Sequence, residues 1–243
     1  MANNKAYSVL SKIYDRLMAD VQKGWAEHIV ELLKENAQGY TGLDLACGSG
    51  YFTRAIKKGG YEVIGVDICP EMLTLAEELS AKERLNISYQ NQDISSLKVF
   101  KKVDFLTIIN DGVNYIDSKS LKKAFKSFYA ALGSGGVLIF DFSSEYKLKN
   151  IIGNNLFGED YEDFSYLWFN KLYEDKVQMD LTIFTKVGEL YKKEEETHTQ
   201  YIHCLDFILN ALKDADFKKI SVNGSIDGVI DEKVDRFEIV AVK

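Results

Sequence analysis

Two carboxylates and a pair of glycines carry the first chemical signal in this chain. Asp44 stands inside an apolar run, four residues before Gly48, and Gly48 and Gly50 bracket Ser49. Asp67 closes the next apolar run, 19 residues after Gly48. A Gly-x-Gly loop after a first strand lets a ligand approach the backbone, because no Cβ intervenes. The helix that follows offers its N-terminal N–H groups. An acid at the tip of the second strand can accept hydrogen bonds from both hydroxyls of a ribose. The pattern therefore predicts a nucleoside-containing ligand over the carboxyl ends of the strands. A dinucleotide loop would place a third glycine where Thr53 stands in "GSGYFT". Asp44 would repel a pyrophosphate, whereas a carboxylate near the loop suits a ligand with a cationic amino group. The first strand thus selects a zwitterionic, sulfonium-bearing nucleoside over a dinucleotide.

Two histidines offer acid–base chemistry. His198 and His203 are five residues apart, and an odd separation on a continuous strand puts them on opposite faces. At most one then points into a pocket. The chain has three cysteines, Cys47, Cys69 and Cys204, and no CxxC pair, so neither a disulfide framework nor a metal site is expected.

These residues need elements to position them. "GLDLA" (42–46), "YEVIGVD" (61–67), "ISYQ" (87–90), "VDFLTII" (103–109) and "GVLIFDF" (136–142) read as buried strands bounded by turn residues. Helical spacing occupies 51–58, 70–83 and 118–132 between them. Pro70 suits a first helical position, with Glu71 complementing the dipole. Alternation of this kind predicts a parallel sheet covered on both faces. Residues 7–18 and 22–35 are expected to form two amphipathic helices ahead of the sheet.

Between 164 and 202 the period changes. Val177, Met179, Leu181 and Ile183 alternate with Gln178, Asp180 and Thr182, which predicts antiparallel strands with one wet face, about three in all. A helix from Leu205 and two last strands, "KKISVNG" and "RFEIVAVK", complete the chain.

The 243 residues include 30 Lys and Arg against 37 Asp and Glu, a net charge of −7. Such a balance disfavours binding to phosphate backbones, so no nucleic-acid partner is expected. No apolar run reaches the ~18 residues of a membrane span, and the N-terminus lacks the pattern of a signal peptide. The expectation is a cytoplasmic protein with no membrane partner; a homodimer is left open.

The motifs in order resemble a known family. "LDLACGSGYFT" resembles the first motif of class I S-adenosylmethionine-dependent methyltransferases, "VIGVDICPEML" their second and "QNQDIS" (90–95) their third. "FLTIINDGVNYI" (105–116) is similar to their fourth strand and its loop, and "LGSGGVLIFDF" to the approach to the fifth. The resemblance implies a Rossmann-like, seven-stranded, mostly parallel α/β sheet with an antiparallel reversal near the end. It makes 1–143 and 204–243 the cofactor-binding core and 144–203 an inserted β lid over a substrate.

It also implies roles for single residues. Gly48 and Gly50, with the Ala46 and Cys47 backbone, would hold the methionine part of S-adenosylmethionine. Asp44 would orient the loop and the amino group, and Asp67 would hold the ribose. Ile68 and Met72 would flank adenine, Asp93 would accept from its exocyclic amine, and the Ile94 backbone would meet a ring nitrogen. Asn110 and Asp111 would face the methyl group, and Tyr14 would close over the cofactor. Asp111, His198 and His203 are the candidates for catalysis. The expected activity is methyl transfer to a small-molecule N or O acceptor, an amine slightly preferred, with Tyr7 and Tyr14 closing the pocket opposite the lid. The rival expectations are a non-catalytic module that binds the same cofactor and a nicotinamide-dependent oxidoreductase.

Overall fold

The computed structural model describes residues 6–224 and 230–243. A single 3₁₀ turn, Leu10–Lys12, leads into helix α1 (Tyr14–Asn36). One continuous helix replaces the two expected. No Gly or Pro lies between residues 18 and 22 to break it, and Gly24 is absorbed at a cost of about 1 kcal/mol relative to alanine. Trp25, Ile29 and Leu33 bury one stripe of α1 against Phe105 and Ile139 of the sheet.

Strand and helix then alternate as β1 (Thr41–Leu45), α2 (Tyr51–Lys58), β2 (Glu62–Asp67), α3 (Pro70–Lys82), β3 (Ser88–Asn91), β4 (Val103–Ile108), α4 (Ser118–Ala131) and β5 (Leu132–Ser143). Helix α4 begins where the Asp117 carboxylate accepts the Lys119 and Ser120 N–H groups, both at 3.0 Å. Its stripe of Leu121, Ala124, Phe125 and Phe128 packs with Leu106 and Phe140 on the sheet face opposite α1. Burying each of these large side chains contributes roughly 1.5–3 kcal/mol.

After an inserted segment, α5 (Leu205–Asp214), β10 (Lys219–Gly224) and β11 (Arg236–Val242) close the fold. The sheet order is β10-β11-β5-β4-β1-β2-β3. All neighbours are parallel except β11, which runs against both β5 and β10. The sheet is thus the seven-stranded Rossmann-like α/β sheet with a late reversal that the family resemblance implies.

The insertion folds as a second sheet of four antiparallel strands: β6 (Leu156–Asp160), β7 (Phe164–Leu172), β8 (Lys176–Val187) and β9 (Leu190–Tyr201). About three were expected. Every residue of β6 is exposed, so β6 carries no alternation to find. On β8 the expected alternation holds, with Val177, Met179, Leu181 and Ile183 buried. Strand β9 ends at Tyr201, so His203 lies past it and the odd-spacing argument does not reach it. Both His198 and His203 are buried at 1% exposure. Among the described residues, no helix is long and apolar enough to cross a membrane.

Candidate active site

In the sheet order, β1 pairs with β2 on one side and β4 on the other, so the topology reverses between β1 and β4. That reversal opens a crevice at the carboxyl ends of the strands. The loop leaving β1 is built of left-handed residues: Ala46 (φ 54°), Gly48 (φ 54°) and Gly50 (φ 73°). The two glycines serve different ends. A Cβ on Gly48 would meet no atom within 4 Å, so it would project into open space. A Cβ on Gly50 would lie 2.5 Å from the Tyr89 hydroxyl and 3.0 Å from the Ala76 Cβ, so Gly50 permits close packing of loop, helix and strand.

Asp44 is 1% exposed and both its oxygens are engaged: Thr53 Oγ1 donates at 2.6 Å and Thr107 Oγ1 at 2.8 Å. Burial pushes this carboxyl up to about 6, against the two hydroxyl hydrogen bonds that lower it. Asp44 does not line the crevice. It ties β1 to α2 and β4, and so holds the loop in place. Thr53, at the position of the absent third glycine, is part of this tie.

Asp67 reaches back from the tip of β2. Its Oδ2 accepts the Gly48 N–H and its Oδ1 accepts the Cys69 N–H, both at 2.8 Å. Burial raises its pKa, against three backbone N–H groups that lower it. A cavity of about 300 Å³ is lined by Asp67 and its neighbours. Ile68, Met72, Gln92, Asp93, Ile94 and Ser95 line it, as do Asp117 and Ser120. The Asp93 carboxylate also accepts the Ser95 N–H at 2.8 Å, which fixes the turn holding Ile94.

Part of the wall is aromatic. Tyr7, Tyr14, Tyr115 and Tyr201 line it, together with Ala46, Cys47, Gly48, Ser49 and Asn110. Asn110 Nδ2 donates to the Tyr14 hydroxyl at 2.8 Å, and the Tyr7 and Tyr115 hydroxyls are 2.7 Å apart. Burial pushes the phenols of Tyr7, Tyr14 and Tyr115 well up, so they stay protonated at neutral pH.

Asp111, next to Asn110, points elsewhere. Its carboxylate accepts from Arg236 Nη2 and from Ser143 Oγ, each at 2.9 Å. Burial would raise its pKa, but the Arg236 guanidinium and nearby donors outweigh that and hold it below the ordinary carboxylate range. Arg236 also pairs with Asp141, whose two oxygens accept the Asn110 and Asp111 N–H groups at 2.6 and 3.1 Å. His203 has Nε2 3.0 Å from the Ile116 carbonyl, and burial lowers its pKa. His198 sits behind the tyrosine wall, its Nδ1 3.4 Å from the Tyr115 hydroxyl. Asp111, His198 and His203 therefore do not line the cavity, nor does Gly50.

The structure adds residues that reading the sequence did not single out. Asp141 and Arg236 brace the β4 loop, and Ser49 Oγ donates to Asp15 Oδ1 at 2.5 Å, tying the glycine loop to α1. Tyr115 lay within the quoted fourth-strand loop, but nothing in its local pattern distinguished it. Arg236 meets its partners only through the β11–β5 register, Arg236 opposite Ser143, which no local spacing reveals.

The site thus combines a Rossmann-like sheet, a glycine loop and a carboxylate at the second strand tip, with no Lys or Arg among the described lining residues. Comparison with known proteins gives this arrangement a family. The model of a methyltransferase domain matches residues 43–136. The Bacillus subtilis (strain 168) protein YqeM, named as a methyltransferase, is 30% identical over 217 residues, 87% of this chain and 86% of its own. A crystal structure of an S-adenosylmethionine-dependent methyltransferase from Clostridium acetobutylicum ATCC 824 superposes with a TM-score of 0.89 at 32% identity, covering 98% of this chain and 99% of its own. The sugar N-methyltransferase KedS8 from Streptoalloteichus shares the fold across 100% of this chain and 96% of its own, with a TM-score of 0.79 at 16% identity. The chain belongs to the class I S-adenosylmethionine-dependent methyltransferases. It is an enzyme, and its cofactor is S-adenosylmethionine.

The site fits that cofactor on its own geometry. Open space faces the missing Cβ of Gly48, the buried Asp67 lines the cavity at the strand tip, and apolar Ile68, Met72 and Ile94 line it together with Asp93.

Proposed function

We propose that the enzyme methylates a small molecule at nitrogen or oxygen, with an amine the preferred acceptor. One observation carries this reading: the described wall of the cavity contains the acids Asp67, Asp93 and Asp117 and no basic side chain. A carboxylate or phosphate acceptor would find no countercharge there, whereas a neutral or cationic amine would be tolerated. The aromatic end formed by Tyr7, Tyr14, Tyr115 and Tyr201 suits a compact, partly apolar acceptor.

When bound, S-adenosylmethionine supplies an electrophilic methyl group on sulfonium. The chain supplies position. Asp67 is assigned to the ribose, Ile68 and Met72 to the adenine faces, and Asp93 with the Ile94 backbone to its polar edge. Ala46, Cys47 and Gly48 are assigned to the methionine part, with Asp44 and Gly50 shaping the loop. Asn110 and Tyr14 stand at the methyl end. Aligning acceptor and methyl while excluding water supplies much of the rate enhancement in such a transfer. An amine that arrives deprotonated needs no base. With Asp111 engaged by Arg236 and Ser143, it is assigned to bracing the loop rather than to taking a proton. The β6–β9 sheet is assigned as the substrate lid: β9 brings Tyr201 to the cavity, and β7 and β8 pack Phe164, Leu181 and Ile183 on the N-terminal turn.

The test is to incubate the protein with methyl-labelled S-adenosylmethionine and a whole-cell extract split into small-molecule, RNA and protein fractions. Label in an N-methyl or O-methyl small molecule is the expected result. Label confined to RNA or protein would overturn the proposal.

A further inference from the structure

A buried carboxylate outside the assigned machinery prompts a further step. Glu196 on β9 is 4% exposed. Its neighbours in sequence belong to an acidic run that reads as solvated surface, yet this one points inward. A buried carboxylate is costly unless hydrogen-bonded, and Glu196 is fully engaged. Its Oε1 lies 2.7 Å from His198 Nε2. Its Oε2 accepts the N–H groups of Val9 at 2.7 Å and Leu10 at 3.2 Å, across 187 and 186 residues of chain. Those N–H groups open the Leu10–Lys12 turn, which has no side-chain cap from its own N-cap residue. Glu196 therefore caps from the lid a turn that belongs to the N-terminus.

What the turn carries is Tyr7. Its backbone is left-handed (φ 68°), a region that strains a residue with a side chain and persists only where the surroundings enforce it. The ring stands edge-on to His198 with centroids 4.7 Å apart and edge-on to Tyr14 at 5.7 Å. Its hydroxyl meets Tyr115 at 2.7 Å, and it lines the cavity. The imidazole that Glu196 holds is also 3.4 Å from the Tyr115 hydroxyl. One carboxylate thus fixes both the backbone bearing Tyr7 and the imidazole against which Tyr7 and Tyr115 rest.

We infer that Glu196 is a positioning residue for the cofactor site, acting through Tyr7: it latches the N-terminal turn to the lid so that Tyr7 roofs the cavity. The inference rests on the family's cofactor occupying this cavity and is independent of which acceptor is methylated.

The probe is S-adenosylhomocysteine, titrated by calorimetry into the full-length protein. Glu196→Leu, which keeps the size and removes the acceptor oxygens, should weaken binding about tenfold or more. Glu196→Gln retains a carbonyl oxygen for Val9 and Leu10 and should stay within about threefold of the parent. Tyr7→Leu should lose a similar factor, and Glu196→Leu added to it should lose little more, because residues acting through one contact are non-additive. Independent, additive losses, or unchanged affinity in Glu196→Leu, would overturn the inference. Where Glu196→Leu does not fold, amide exchange in the parent protein decides: the Val9 and Leu10 N–H groups should exchange at least about tenfold more slowly with S-adenosylhomocysteine bound. Exchange that ignores the ligand would overturn it equally.

Discussion

Asp67 Oδ2 accepts the backbone N–H of Gly48 at 2.8 Å, joining the tip of the second strand to the loop that leaves the first. The two residues are 19 apart in sequence, and the parallel register of β1 and β2, Leu45 opposite Val66, brings them together. One carboxylate thereby orders the loop and faces the cavity.

Replacing Asp67 by alanine removes a charged acceptor from the proposed ribose position, a loss of about 1.5–3 kcal/mol. The Kd for S-adenosylhomocysteine should rise roughly tenfold or more by calorimetry, with the circular dichroism spectrum retained. An unchanged Kd would place the ribose elsewhere.

At Gly48 the expected costs to stability and binding diverge. An alanine there is strained by its left-handed φ of 54° but meets no atom within 4 Å, so unfolding stability should fall by only about 1–2 kcal/mol. The new methyl group enters the ligand's space, so cofactor affinity should fall more than stability. Urea unfolding and titration on the same sample compare the two; equal losses would mean that the loop does not face the ligand.

Arg236 neutralises Asp111 and Asp141 inside the protein. Arg236→Met leaves two buried carboxylates with Lys147 as their remaining nearby cation and no hydrogen-bonded one, and breaking such a site typically costs about 3–5 kcal/mol. Chemical denaturation should show that loss, and adding Asp111→Asn should recover part of it. If the double variant is no better than the single one, the charge argument fails.

Asp44 makes stability depend on pH. Its pKa is raised from an ordinary 3.8 to about 6, so between those values the folded chain holds more protons than the unfolded chain. Its contribution to stability therefore declines as pH rises from about 4 to about 6 and is level above that. Asp44→Asn lacks this decline. The Tm of the variant relative to the parent should climb through that window and then stay flat; parallel Tm curves from pH 4 to 8 would contradict the assignment.

Much of this was legible in the sequence, for physical reasons. Buried parallel strands read as continuous apolar runs, and the glycine loop and Asp67 form a local pattern, so the sheet core and the loop and carboxylate at the strand tips could be placed. What escaped had either no local signal to read or depends on distant contacts. The single helix α1 showed no internal stop, and β6 is exposed on every residue. The partner that takes Asp111 out of the cavity lies 125 residues away, at Arg236. Glu196 sat within an acidic run that reads as solvated surface, yet its carboxylate is capped by N–H groups from the far end of the chain.

The most direct test of the account is a paired calorimetric titration of the purified protein with S-adenosylhomocysteine and with NAD. The glycine loop, Asp67 at the proposed ribose position, Asp93 at the proposed adenine position and the lack of Lys or Arg among the described lining residues predict saturable one-to-one binding of S-adenosylhomocysteine and no measurable heat with NAD. Comparable or tighter binding of NAD would contradict the assignment of this cavity.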